Sequence, residues 1–133
     1  EHISGTQTGT AGNSETPSAL LTGPDGFYER KFNGAYLYLL QNIFSADHQL
    51  LVKYDWYDPN SSVKGTAIGA PGSNFSAADI KYSTIGLGYI YYITPNVKWV
   101  LYYAMVKNEK TQLAGFTKDV KDNVFTARLQ FRF

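Results

Sequence analysis

Hydrophobic and polar residues alternate most regularly over positions 122–133. One face carries Phe125, Ala127, Leu129, Phe131 and Phe133, and the other carries Val124, Thr126, Arg128, Gln130 and Arg132. A period of two is that of a β-strand with unlike faces. The apolar face runs to the terminal residue, whereas chain ends of soluble domains are usually frayed and polar. A length of about 10 residues suits a tilted strand that crosses a bilayer, so we predict the closing strand of an outer-membrane β-barrel.

The same alternation predicts four further strands. The first covers residues 27–43, where a helix over 35–43 is the competing assignment. The others cover residues 48–58, 80–93 and 97–107, and each separates into two faces. The predicted fold class is therefore all-β, an antiparallel up-and-down transmembrane barrel represented by about five strands.

The connectors between these strands alternate in length. Short turns are predicted near residues 45 and 95, whereas Gly/Ser/Pro-rich or polar loops cover 59–79 and 108–121. Barrels of the outer membrane have short periplasmic turns and longer extracellular loops. Residues 1–26 lack periodicity and are predicted to be one more extracellular loop or a disordered segment, so that 27–133 holds the strands.

Composition removes several function classes. The 11 Tyr, 8 Phe and 2 Trp residues suit many strands, and the formal net charge of +1 argues against a nucleic-acid partner. The mean hydropathy of -0.27 is compatible with a barrel, whose strands alternate lipid-facing and lumen-facing residues. No run of about 18 apolar residues exists, which argues against a transmembrane helix.

Alternation assigns candidate site residues to two environments. Predicted pore-lining residues are Lys53, Asp55, Tyr57, Lys81, Lys98, Arg128 and Arg132. Predicted lipid-facing residues are Leu50, Val52, Tyr54, Trp56, Ile85, Leu87, Tyr89, Trp99, Leu101, Tyr103, Phe125, Leu129 and Phe131. Aromatic residues near strand ends are expected to form girdles at the two interfaces.

Each candidate also has a structural interpretation. Lys53 and Asp55 share a face and are expected to form an ion pair, and Asp58 is expected to stabilise the start of the loop at Pro59. Arg132 is interpreted as a solvated lumen charge with an acidic neighbour. For Arg128, that interpretation and an anion-attracting wall stay equally open.

No catalytic or metal site is predicted. His2 and His48 have no partners at ligand or triad spacing, and no phosphate loop or nucleophile motif occurs. We therefore expect no enzyme activity and no cofactor.

Five strands cannot close a membrane barrel, since about eight is the smallest number found. An open edge in lipid would leave backbone groups unpaired at several kcal/mol each. We expect these residues to be the C-terminal piece of a longer polypeptide, whose remaining strands complete the barrel. The alternative is that several copies pool their strands.

Three segments resemble the porin O and P family, the phosphate-selective type of outer-membrane porin. They are LLVKYDWYDPN (50–60), TIGLGYIYYITPNVKWVLYY (84–103) and VFTARLQFRF (124–133). The resemblance covers about residues 30–133 and implies a barrel of about sixteen strands (roughly 14–18). It also implies a homotrimer or larger outer-membrane complex, and recognition of Phe133 by the barrel-assembly machinery.

The favoured function is an outer-membrane porin that passes small polar or anionic solutes, including phosphate, by passive diffusion, with membrane lipid as its surroundings. One alternative is a barrel subunit with a structural or docking role in a larger complex. The other is a soluble β-sandwich or lipocalin-like binding module, in which other parts of the protein would cover the aromatic residues on the strand faces.

Overall fold

In the computed structural model the chain is built from β-strands. The structure describes residues 1–10, 21–22 and 27–133. The strands are β1 (His2–Thr10), β2 (Leu21–Thr22), β3 (Phe27–Asn42), β4 (His48–Asp58), β5 (Tyr82–Thr94), β6 (Val97–Asn108) and β7 (Val124–Phe131). Two single-turn 3-10 helices, Gly65–Ala67 and Ala77–Asp79, lie between β4 and β5. Neither of these helices, nor any other among the described residues, has the length and apolar character needed to cross a membrane.

The strands form one antiparallel up-and-down sheet. Its order is β1-β3-β4-β5-β6-β7, with β2 also paired to β3. From β3 onward each strand therefore lies beside its neighbour in the sequence. The all-β up-and-down prediction is confirmed, and over the described residues the sheet stays open rather than closing into a barrel.

The predicted strands correspond closely to β3 through β7. The strand assignment of residues 27–43 is confirmed over the helical alternative, because β3 runs from Phe27 to Asn42. The bounds of β4 coincide with the prediction, and β6 extends one residue beyond it. β5 begins two residues later than predicted, because Ile80 and Lys81 belong to the preceding loop.

The strand β1 corrects the expectation that residues 1–26 contain only a loop or a disordered segment. Residues His2 to Thr10 pair antiparallel with β3, from His2 opposite Ala35 to Thr10 opposite Phe27. Leu21 and Thr22 also pair with β3. The pairing consists of backbone hydrogen bonds, which Ser, Thr, Gly and Gln provide as well as apolar residues do. The remainder of that predicted segment, 11–20 and 23–26, lies outside the described residues.

The chain divides into two compact units. The long-loop unit comprises Glu1–Ala35, Trp56–Ser83 and Lys107–Val120, and the strand unit comprises Tyr36–Asp55, Thr84–Val106 and Lys121–Phe133. Both short turns belong to the strand unit, and the connectors 59–81 and 109–120 belong to the long-loop unit. The long connectors and the short turns of this chain therefore belong to different compact units.

The strand unit has tight turns and a well-defined strand register. At the first turn Ile43 N–H donates to His48 O at 2.8 Å, and Phe44 adopts a φ of 62°. β6 pairs with β7 from Val97 opposite Phe131 to Ala104 opposite Val124. Directly opposite residues share a face of the sheet, so this register sets which side chains of β6 and β7 lie together.

Among the described residues, the apolar side chains that are fully buried belong to the long-loop unit. Ile68 and Ile80 are 0% and 1% exposed. Gln112 N–H donates to Ile68 O at 3.0 Å, and Gly69, at a φ of 75°, lies against Leu113. The two connectors therefore pack on each other. The loop predicted over 59–79 is an ordered element with its own small core.

A buried carboxylate organises the longer of these connectors. Asp79 is 1% exposed, and it accepts hydrogen bonds from Asn60 Nδ2 at 3.0 Å and from Ser76 N–H at 2.9 Å. Ser76 Oγ in turn accepts from Ala78 N–H, which completes a capping box on the second 3-10 helix. Asn60 and Asp79 thus join the two ends of a connector of about twenty residues.

Replacing Asp79 with Ala is expected to loosen this connector and leave the strands paired. Asn60 Nδ2 and the N–H of Ser76 would each lose the hydrogen bond that Asp79 accepts, and a buried group left unsatisfied costs about 1–3 kcal/mol. We expect proteinase K to cleave within residues 59–81 at least about tenfold faster, because cleavage follows the population of the opened form.

The matched control is Ser62→Ala, an exposed position of the same connector. It should leave the cleavage rate unchanged, and heat-modifiable gel mobility should report intact strands in both variants. Equal cleavage of the Asp79→Ala variant and the wild type would show that Asp79 does not order the connector.

Candidate pore-lining face

The long strands of the strand unit have two chemically different faces. Lys53 Nζ lies 5.7 Å from the ring centroid of Tyr38, and Lys98 Nζ lies 5.4 Å from that of Tyr92. The β6–β7 register places Lys98 opposite Gln130. We call the side of the sheet that carries these residues the polar face and the opposite side the apolar face.

All charged side chains on the strands of this unit belong to the polar face. They are Lys53, Asp55, Lys98 and Arg128. Lys53 Nζ lies 2.6 Å from Asp55 Oδ1, so the predicted ion pair is present and neutralises both charges. In the part of the chain that the structure describes, no carboxylate pairs with Lys98 or Arg128. The polar face therefore carries a net positive charge.

The apolar face presents large side chains to its surroundings. Trp99 and Leu129, opposite one another, are 52% and 47% exposed, and Leu101 faces Ala127 in the same register. Other exposed members are Leu50, Tyr54, Ile85, Leu87, Tyr103, Phe125 and Phe131. Exposed apolar area on this scale is rare on soluble proteins and is what a lipid-facing barrel surface requires.

Tyr102 lies flat against the polar face over two glycines. A Cβ on Gly86 would overlap the Tyr102 hydroxyl, and one on Gly88 would lie 3.2 Å from Tyr102 Cδ2 and 3.2 Å from Leu51 Cβ. The sequence indicated only that Gly86 and Gly88 leave room on this face. The structure shows that the Tyr102 ring occupies this space, so the ring protrudes little from the polar face.

His48 and three aromatic residues form a cluster on the apolar face beside the first short turn. His48 Nδ1 is hydrogen-bonded to Tyr89 Oη at 2.5 Å, and its ring stacks on Tyr91 at 4.6 Å between centroids. Phe44 meets the His48 ring edge to face. These contacts resemble an interfacial aromatic girdle, in which amphipathic rings sit at the headgroup level.

Some predicted site residues lie outside the strand unit or beyond the strand ends. Tyr57 and Lys81 belong to the long-loop unit, where Tyr57 lies against Gly34 and Lys81 Nζ is 4.0 Å from Asp58 Oδ2. Arg132 follows β7, and its backbone N–H donates to Asn96 O at 2.8 Å. Whether these residues line a pore stays a prediction.

Two other sequence predictions concern the ends of β4 and β7. Asn60 N–H donates to Asp58 Oδ1 at 3.1 Å, so Asp58 stabilises the start of the loop as expected. Phe133 lies beyond β7 with its side chain exposed, and its role as an assembly signal stays a prediction.

Sequence reasoning missed the aromatic residues of the polar face. Tyr38, Tyr92 and Tyr102 are neighbours of its charged and small residues, yet the predicted pore lining includes only Tyr57 among tyrosines. Alternation contains the necessary signal, because Tyr92 and Tyr102 have the same parity as Gly86, Gly88 and Lys98.

The comparison with family models agrees with this geometry. The model described as phosphate-selective porin O and P matches residues 28–133. This chain belongs to that porin family. The porin is thus an outer-membrane β-barrel protein from a family of channels rather than enzymes. Searches of curated proteins and of solved structures found no match.

Substituting Gly86 with Ala in the porin is expected to push the Tyr102 ring outward from the polar face. The new methyl group would occupy the place of the hydroxyl end of that ring, so the ring would have to move away from the strand backbone. Single-channel conductance in 1 M KCl should fall, and the Gly86→Ala/Tyr102→Ala double variant should recover it. A fall that persists in the double variant would show that the loss does not act through Tyr102.

Adjacent positions on β6 test the two faces directly. Leu101→Lys would place a charge on the apolar face, which costs about 2–4 kcal/mol at the bilayer midplane and about 0–1 kcal/mol near the interfaces. We expect this variant to lose the heat-modifiable, folded band in outer-membrane fractions, whereas Val100→Lys should retain it. Equal yields of the two folded variants would contradict the assignment of faces.

Proposed function

We propose that this porin is a passive diffusion channel for small polar solutes with a preference for anions, and that its polar face lines the pore. The observation that carries the proposal is the segregation of charge. Lys53, Asp55, Lys98 and Arg128 lie on one face, and the opposite face exposes apolar side chains. A wall with one face suited to water and one suited to lipid is that of a channel.

The mechanism requires no reacting residue. A polar solute pays a large free energy to enter hydrocarbon, and a water-filled pore removes most of that cost. Charges on the wall then raise or lower the local concentration of each ion. Since Asp55 neutralises Lys53, the positive potential from this part of the wall comes mainly from Lys98 and Arg128.

The preference proposed here is for anions in general. Strong phosphate selectivity needs several convergent donors, because inorganic phosphate presents several acceptor oxygens and more than one negative charge. On the strands of the strand unit, the basic residues outside the ion pair are Lys98 on β6 and Arg128 on β7. Two such residues support a modest electrostatic preference and no phosphate-specific cage.

The test is the reversal potential of the native porin in a planar bilayer with a tenfold KCl gradient. The wild type is expected to show a potential of the sign that chloride permeation gives. Lys98→Glu changes the charge of the polar face by two. It should move the reversal potential toward the equilibrium potential of potassium. Lys118→Glu makes the same change at an exposed position of the long-loop unit, and its effect should be smaller.

Absence of conductance through the folded wild-type protein would exclude a diffusion channel. A cation-selective wild type would leave the channel in place and overturn the anion preference.

A further inference from the structure

A small cavity lies on the polar face beside the Pro95–Asn96 turn of the strand unit. Its volume is about 270 Å³, and the residues around it include Tyr92, Pro95, Asn96, Lys98, Gln130 and Arg132. Pairing of β6 with β7 places Gln130 opposite Lys98. The hydrogen bond from Arg132 N–H to Asn96 O extends that pairing past the end of β7 and fixes the backbone of Arg132 beside the turn.

The cavity combines two cations with no acid among its lining residues. Within the described part of the chain, neither Lys98 nor Arg132 forms an ion pair, in contrast to Lys53 with Asp55. The ammonium of Lys98 is held over the Tyr92 ring at 5.4 Å, a contact that orients the charge without neutralising it. An anion that enters the cavity therefore meets charge that no protein group has already satisfied.

The remaining lining residues determine which kind of anion fits best. The Arg132 guanidinium offers a planar fork of donors that matches a carboxylate, and Gln130 adds amide groups. The Tyr92 ring and Pro95 supply apolar surface, from which a fully hydrated inorganic ion gains nothing. An anion with an apolar body gains from both kinds of contact.

We propose that this cavity binds small organic anions that carry one carboxylate on an apolar ring or chain, and that it binds them in preference to inorganic phosphate. The proposal rests on the proposed function, since it places a weak solute site on the pore wall at the short-turn end of the strands. Binding there has to be weak enough for the solute to leave again. For a ligand of benzoate's size we expect half-saturation in the millimolar range, on the order of the affinities that such small molecules reach.

The experiment measures block of single-channel current through the native porin by benzoate, with inorganic phosphate compared at equal ionic strength. The wild type is expected to be half-blocked at a benzoate concentration at least about tenfold below that of phosphate. Arg132→Gln should weaken benzoate block about tenfold. Tyr92→Ser should weaken benzoate block and leave phosphate unchanged, because only the organic anion uses the ring.

The matched control is Lys118→Gln, which removes the same single charge at an exposed position of the long-loop unit that does not line this cavity. It should change benzoate block by less than about twofold. If Lys118→Gln weakens the block as much as Arg132→Gln, the effect comes from diffuse charge and the site is wrong. If phosphate blocks as strongly as benzoate, the preference for organic anions is wrong.

Calorimetric titration of benzoate into the detergent-solubilised porin separates this inference from the proposed function. Open channels in KCl without benzoate binding would remove the site and leave the diffusion channel intact. Benzoate binding that Arg132→Gln weakens, in a protein that shows no conductance, would keep the site and remove the channel. Folded, heat-modifiable protein is confirmed for every variant before either measurement.

Discussion

Backbone hydrogen bonding within the hydrocarbon layer is the constraint on which the rest of this structure depends. A strand in lipid has no water to satisfy its N–H and C=O groups, so each must pair with a neighbouring strand. The pairing of β1 with β3 ends at Ala35, and β7 lies at the other edge of the sheet. Among the described residues β7 has one strand neighbour, β6, so the N–H and C=O groups of its outer edge need partners wherever that edge lies in lipid.

The size of the strand unit agrees with that constraint. The segment of β6 within it runs from Val97 to Val106, which is about 30 Å along the strand. At a tilt of about 40° this covers about 23 Å of depth, close to the roughly 25 Å apolar band of outer-membrane barrels. The next residue, Lys107, belongs to the long-loop unit, so positive charge returns where the apolar band ends.

Prediction from sequence succeeded where one face of a strand had to be apolar. The bounds of β4 could be predicted because Val52, Tyr54 and Trp56 alternate with Lys53 and Asp55. The strand β1 could not be predicted, because backbone pairing does not require apolar residues at alternate positions. The core of the long-loop unit was also missed, since Ile68 and Ile80 are isolated apolar residues in polar segments, and only the fold buries them. The fit of Tyr102 over Gly86 depends on the strand register, which alternation alone does not provide.

Charge is distributed unevenly along the polar face. The neutralised pair of Lys53 and Asp55 lies toward the long-loop end of β4, whereas Lys98 and Arg132 lie beside the Pro95–Asn96 turn. Under the proposed function, a solute would meet little net charge beside the Lys53–Asp55 pair and unneutralised cations beside the turn. Weak attraction at that mouth would raise the local concentration of anions there without holding them in the middle of the pore. Such an arrangement favours a broad, fast preference for anions over tight binding of a single one.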